Sequence, residues 1–199
     1  MRYKRLSPFR VMDIVAKAKE FDDTIHFEIG EPDLPPPPKV REALKKVDSK
    51  IFSYTPTLGI FELREKIANH YKRVYNIEVD VDQILITPGT SIAFMIAYEL
   101  LLPAKGKLAI SDPSYPCYKN FAYMVDGEVE TFVTSKENNF SLNKELLESR
   151  KKEIDLIHIS SPANPTGILY NNNNLKELIE FAKANNIGFI SDELYHGVI

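Results

Sequence analysis

Four short apolar runs mark the chain: Ile84–Ile86, Leu108–Ile110, Leu156–Ile159 and Ile187–Ile190. Each is too short for a helix and lacks polar alternation, which predicts strands covered on both faces. Val129–Val133 alternates in character and is a fifth candidate strand. Between and before these runs the apolar spacing changes to three and four, the period of a helix with one buried face. It predicts helices over Val11–Glu20, from Lys39 after the prolines Pro35–Pro38, and from Gly59 through Ile60, Leu63, Ile67, Tyr71 and Val74. Further helices are predicted over Ser91–Leu102, Cys117–Val125, Asn143–Arg150 and Leu175–Ala184. For the last, Asn174 with Glu177 three residues on reads as an N-terminal cap, and Asn171–Asn174 as the turn before it. Strand and helix in alternation is the grammar of a mainly parallel α/β sheet with helices on both faces.

Composition narrows the possibilities without redirecting them. The 199 residues suffice for one sizeable domain, and 44% hydrophobic with 27% charged positions is ordinary for a globular chain. A net charge of -3 excludes a broad basic face for nucleic acid, and the cluster Arg2, Lys4, Arg5 and Arg10 is not continued. The single cysteine, Cys117, excludes an internal disulfide framework and a cysteine-rich metal site, and no metal site is expected. No apolar signal segment comes after the basic start, and Ile92–Leu102, broken by Glu99, is too short to span a bilayer. A reducing, cytoplasmic location is expected.

The chemistry lies in the loops after the strands, because ligands of open parallel sheets bind beyond the carboxyl ends. Polar loops come after Ile86 (Thr87-Pro88-Gly89-Thr90-Ser91), Ile110 (Ser111-Asp112-Pro113-Ser114-Tyr115-Pro116), Ile159 (Ser160 to Gly167) and Ile190 (Ser191-Asp192-Glu193-Leu194-Tyr195). All four are expected on one sheet edge. Gly89-Thr90-Ser91 at a strand-to-helix turn offers backbone N–H groups, the helix dipole and two hydroxyls to a phosphate, or simply caps the helix. Asp192, just past a buried strand, needs a cationic partner such as a protonated ring nitrogen, or else caps the next turn. Tyr195 and Asn164 could hydrogen-bond the same ligand, and Tyr115, between Pro113 and Pro116, is either a rigid stacking platform or a core aromatic.

Taken together, Pro162-Ala163-Asn164-Pro165-Thr166-Gly167 and Ser191-Asp192-Glu193-Leu194-Tyr195 resemble the fold-type I pyridoxal-phosphate (PLP) aminotransferases of class I/II. So do Gly30-Glu31-Pro32-Asp33, Tyr54-Thr55-Pro56, Gly59 and Leu63-Arg64, in the order the family has them. The resemblance implies the large domain of that fold, an α/β/α sandwich with a mainly parallel sheet, truncated here and preceded by an N-terminal arm and small-domain segment. It divides the chain into an arm segment, 1–47, and an incomplete PLP-binding domain, 48–199. It implies amino-group transfer between an amino acid and a 2-oxo acid. Asp192 would pair with the pyridinium nitrogen, making the ring an electron sink. Tyr195 and Asn164 would hydrogen-bond the phenolic oxygen, and Tyr115 would stack on the ring. Gly89, Thr90 and Ser91 would hold the phosphate, Tyr54 would reach the phosphate of the neighbouring subunit of a homodimer, and Gly30 would lie near the substrate carboxylate.

One departure accompanies these matches. The family's Schiff-base lysine and its phosphate- and carboxylate-binding arginines come after the Asp-Glu-x-Tyr segment, and this sequence reaches Ile199 before any of them. The nearest lysine, Lys183, precedes the Asp192 strand and is expected to be solvated. The chain is therefore expected to be a truncated product or one segment of a longer protein, with gaps and unpaired edges in its sheet. Two alternatives stay open: a carbon–sulfur lyase of the same fold, and a non-catalytic chain that keeps the fold without the lysine.

Overall fold

Uninterrupted apolar strands bury both faces, so they pair in the middle of a layered structure. The computed structural model describes residues 2–30, 34–47 and 54–198 and has four strands, β1 (Lys107–Asp112), β2 (Glu128–Val133), β3 (Leu156–Ser160) and β4 (Gly188–Asp192), of which β1 and β3 are buried in this way while β2 and β4 are partly exposed. They form one parallel sheet in the order β2-β1-β3-β4. The helices are α1 (Val11–Ala18), α2 (Pro38–Lys45), α3 (Phe61–Tyr75), α4 (Thr90–Leu101), α5 (Cys117–Met124), α6 (Lys144–Glu148) and α7 (Asn172–Ala184).

Alternation along each strand distributes side chains to two cores. Leu108, Ile110 and Leu156 join Phe94 and Tyr98 of α4 and Tyr118 and Ala122 of α5 on one face. Ala109, Ile157 and Ile159 join Leu178, Phe181 and Ala182 of α7 and Leu147 of α6 on the other. This is the expected α/β/α sandwich. Full burial of a Leu or Ile is worth roughly 1.5–3 kcal/mol, and the central strands β1 and β3 carry most of it. His158 of β3 also lies at 2% exposure, on the α4–α5 face among aromatic rings.

Three expectations need correction. Among the described residues the sheet runs without a gap in the order β2-β1-β3-β4, although β1 and β3 pair only at Leu108 with Leu156 and at Ala109 with Ile157, and β2 and β4 keep their outer edges open. The Ile84–Ile86 run is not a strand; instead of joining a ladder, Ile86 N–H donates to Leu58 O at 3.0 Å. The cap of α7 is Asn171, whose side chain accepts from Asn174 N–H at 2.8 Å, so the asparagine run forms the helix's first turn. Asn174 has another task, donating through Nδ2 to Leu142 O at 2.9 Å.

The described chain packs as two compact units, 1–9 with 88–199, and 10–87. The division expected between 47 and 48 borders residues 48–53, which lie outside the described residues. Glu31, Pro32 and Asp33 of the first motif also lie outside them. Within the 10–87 unit, the buried Arg64 of α3 donates to Gly59 O at 3.3 Å and to Val81 O at 2.7 Å, tying the helix to the turns on either side. Gly59 sits at φ +101, and a Cβ there would lie 2.5 Å from Ile86 Cγ1. Both the backbone conformation and the contact reject a side chain. Gly59→Ala is expected to cost about 2–4 kcal/mol; the check is faster amide exchange in α3 with exchange in β1–β4 unchanged.

Candidate active site

Parallel strands deliver their carboxyl ends to one edge, and three of the predicted loops leave from it. Ser160 of β3 is in register with Asp192 of β4, and Ser161 N–H donates to Asp192 O at 3.0 Å, joining the second and third of these loops. Helix α4 precedes β1 and so runs against it. Its second turn brings Phe94 to Tyr118, with ring centroids 5.5 Å apart, while Leu102 beyond its last turn packs beside Gly127 at the opposite edge. Gly89 therefore opens α4 on the site edge. Its φ of 87 and ψ of 161 belong to a region that only glycine occupies comfortably, and no side chain caps the helix. A Cβ there would meet nothing within 4 Å, so conformation and not crowding requires the glycine. Thr90 and Ser91 come next, exposed, in the first turn.

Asp192 closes β4 at 8% exposure. Its Oδ1 accepts from Leu194 N–H at 3.0 Å and its Oδ2 from the Tyr118 hydroxyl at 2.5 Å. Among the described residues it forms no ion pair. A buried carboxylate with hydrogen bonds but no countercharge has room for one cationic partner. That fits a protonated ring nitrogen, and the helix start at Gly89 fits an anion. Tyr118 is the functional neighbour that sequence reading missed; its only signal was a phenol one helical turn after Tyr115.

Tyr118 belongs to a block of rings. Its centroid lies 4.2 Å from His158, 5.3 Å from Tyr115 and 5.5 Å from Phe94. Tyr98 of α4 hydrogen-bonds His158 Nδ1, while His158 Nε2 finds no partner among the described residues. Burial alone pushes the His158 pKa down to about 3, so the ring is neutral near neutrality. Burial, and then Asp192, raise the Tyr118 phenol well above its ordinary range. Its proton is therefore fixed, and the hydroxyl serves as a donor.

Tyr115 is half-buried, with edge-on contacts to Phe9 at 6.1 Å and Tyr118 at 5.3 Å. Its phenol is pushed up to about 12, first by burial, then by the Cys117 thiol, with smaller contributions from Tyr195 and Asp192. Asn164 is half-buried in a tight loop closed by Ala163 N–H to Ile168 O at 2.9 Å and Gly167 N–H to Ala163 O at 2.7 Å. Gly30 and Tyr54 belong to the 10–87 unit and are described with it; both are exposed, Tyr54 fully. Lys183, in the last turn of α7, is exposed and sits at the end of that helix where β4 begins, the full length of the strand from Asp192.

A family model described as aminotransferase class I and II matches residues 22–199. A Methanocaldococcus jannaschii protein named (5-formylfuran-3-yl)methyl phosphate transaminase is 36% identical over 100% of this chain and 52% of its own. An aspartate aminotransferase of Pyrococcus horikoshii is 33% identical over 96% of this chain and 49% of its own. The crystal structure of an aminotransferase from Mycobacterium tuberculosis superposes with a TM-score of 0.93 at 31% identity, over 99% of this chain and 52% of that one. The chain thus spans about half the length of the curated relatives it matches.

Proposed function

This chain belongs to the class I and II aminotransferases, and from that premise we propose that its protein moves an amino group between an amino acid and a 2-oxo acid with PLP held at the carboxyl edge of the sheet. The family is PLP-dependent. The observation that carries the proposal is Asp192: a carboxylate at 8% exposure, hydrogen-bonded at both oxygens and without a countercharge among the described residues. When bound, the cofactor supplies an electron sink for the substrate carbon.

The chain's own residues bind and orient. Asp192 holds the proton on the ring nitrogen by ion pairing. Tyr195 and Asn164, from neighbouring loops, donate toward the ring oxygen. Tyr115, fixed by its edge contacts, covers one ring face and excludes water from it. Gly89, Thr90 and Ser91 bring the start of α4 to the phosphate. Gly30 contributes backbone beside the substrate carboxylate. Tyr54, fully exposed, reaches the phosphate site of a second subunit, which makes the enzyme a homodimer. With one cysteine and so no internal disulfide, the chain suits a reducing, cytoplasmic location, and no described helix is long and apolar enough to cross a membrane.

The relatives' names favour transfer over carbon–sulfur cleavage and over a non-catalytic role. They differ in substrate, aspartate in one and a furan phosphate in another, so the proposal is made for the class of reaction. The test is an assay of the protein at its natural length with PLP, a panel of amino acids and 2-oxoglutarate. Stoichiometric glutamate and a new 2-oxo acid are expected; pyruvate and ammonia without glutamate, or no turnover of any donor, would overturn the reading.

A further inference from the structure

Asp192 is gripped from two elements far apart in sequence. Leu194 N–H, in the turn after β4, donates to Oδ1 at 3.0 Å, and the Tyr118 hydroxyl, on α5, donates to Oδ2 at 2.5 Å. A carboxylate fixed at both oxygens cannot swing about its last torsion, yet each oxygen keeps a lone pair for a further donor. Tyr118 is itself immobile, at 2% exposure with its ring set among Phe94, Tyr115 and His158. The first of these donors belongs to the backbone and is common to any residue at that turn. The second is a side chain, and its chemistry can be tuned.

We propose that Tyr118 is a positioning residue for the cofactor-binding carboxylate: its hydroxyl holds Asp192 in one orientation and in its ionised form, ready for a cationic ring nitrogen. This rests on the reading of Asp192 as the ring-nitrogen partner. A donor to an ionised carboxylate is among the stronger hydrogen bonds, and it stabilises the anion over the acid. The surrounding groups do not compete for that task. From α4, Tyr98 faces His158 and is raised above its ordinary range, first by burial. From β3, His158 is kept neutral by burial. From the loop before α5, Tyr115 is pushed up to about 12. From the turn after β4, Tyr195 approaches, while the exposed Glu193 accepts from the Ser191 hydroxyl at 3.0 Å. None of these supplies a cation, so the Tyr118 hydroxyl is the side-chain support of the carboxylate charge among the described residues.

A purely structural tyrosine would behave differently from a positioning one. Tyr118→Phe keeps every ring contact and removes one oxygen. In the full-length protein freed of cofactor and carrying 13C-carboxyl aspartate, the Asp192 titration is expected to move up by about one pH unit in Tyr118→Phe, a tenfold rise in proton affinity. Replacing Tyr118 with 3-fluorotyrosine, a stronger donor of nearly the same shape, is expected to move it down. PLP affinity in Tyr118→Phe is expected to fall about tenfold. An Asp192 titration that stays in place across both substitutions overturns the proposal, and the fluorinated protein decides the matter if the phenylalanine variant does not fold. Asp192→Asn separates the two readings. If it binds PLP as tightly as the unmodified protein, the assignment of Asp192 to the ring nitrogen fails, whatever Tyr118 does to the carboxyl titration.

Discussion

Asp192→Ala is expected to weaken PLP binding by roughly a hundredfold or more, the largest functional effect of any single substitution in the site. Removing one member of a buried ion pair costs about 3–5 kcal/mol, because the surviving charge is left without its partner in a place water does not reach. At 8% exposure Asp192 qualifies as such a member, and the Tyr118 hydroxyl would also lose its acceptor. Each 1.4 kcal/mol is about a factor of ten, which gives the expected loss. Thr90→Ala is the contrast. Thr90 is exposed at the helix start, where backbone N–H groups share the anion, so a loss nearer tenfold is expected. The measurement is an absorbance titration of each protein with PLP at fixed pH and ionic strength. Equal losses for the two variants, or an alanine at 192 within threefold of the parent, would remove Asp192 from the centre of the site.

The layers of this fold were legible because both of its signals are local. Leu108–Ile110 and Leu156–Ile159 are buried on both faces, and a buried parallel strand writes itself as an apolar run whatever its neighbours are. The same signal failed at Ile84–Ile86, because apolarity predicts burial and not pairing, and pairing depends on a neighbour that sequence alone does not name. The cap of α7 was misplaced by three residues for a related reason. Any of four consecutive asparagines can cap, and the choice of Asn171 is settled by the bond from Asn174 to Leu142, a contact 32 residues distant. In the site, Asp192, Tyr115 and Asn164 announced themselves as polar groups at strand ends. Tyr118 did not, since it lies inside a helix where a tyrosine reads as packing, and its bond to Asp192 spans 74 residues. Nor did His158, whose place in a strand gave no hint of the aromatic box that closes around it.

That histidine makes the second large prediction, which concerns stability and not binding. His158 is 2% exposed, and burial lowers its pKa from 6.5 to about 3. A group whose folded pKa is depressed contributes stability above its unfolded pKa and loses it as pH falls toward the folded one. The contribution is therefore complete above about pH 6.5 and drains away between there and about pH 3. Each pH unit in that window is worth about 1.4 kcal/mol, so some 2–3 kcal/mol should be gone by about pH 4.5. The physical cause is that a charged imidazole would have only the Tyr98 oxygen to receive it, with Nε2 facing no acceptor among the described residues. Glu28, Glu137 and Glu153 also have lowered pKa values, each chiefly from a side-chain hydrogen bond, to His26, Ser135 and Lys107 in turn. Glu137 and Glu153 are exposed and Glu28 is half-buried, and the losses of all three begin only below their ordinary value of 4.5. The window between the two ordinary values thus isolates the histidine. Urea midpoints taken from about pH 8 down to pH 4.5 should fall steadily once below about 6.5. In the double substitution Tyr98→Phe with His158→Leu, both polar partners leave together, so the hydrogen bond is removed without orphaning either group. That protein should show a nearly flat midpoint over the same window. An equal slope in both proteins would mean that the acid sensitivity belongs to other groups and that His158 is not buried as a neutral ring.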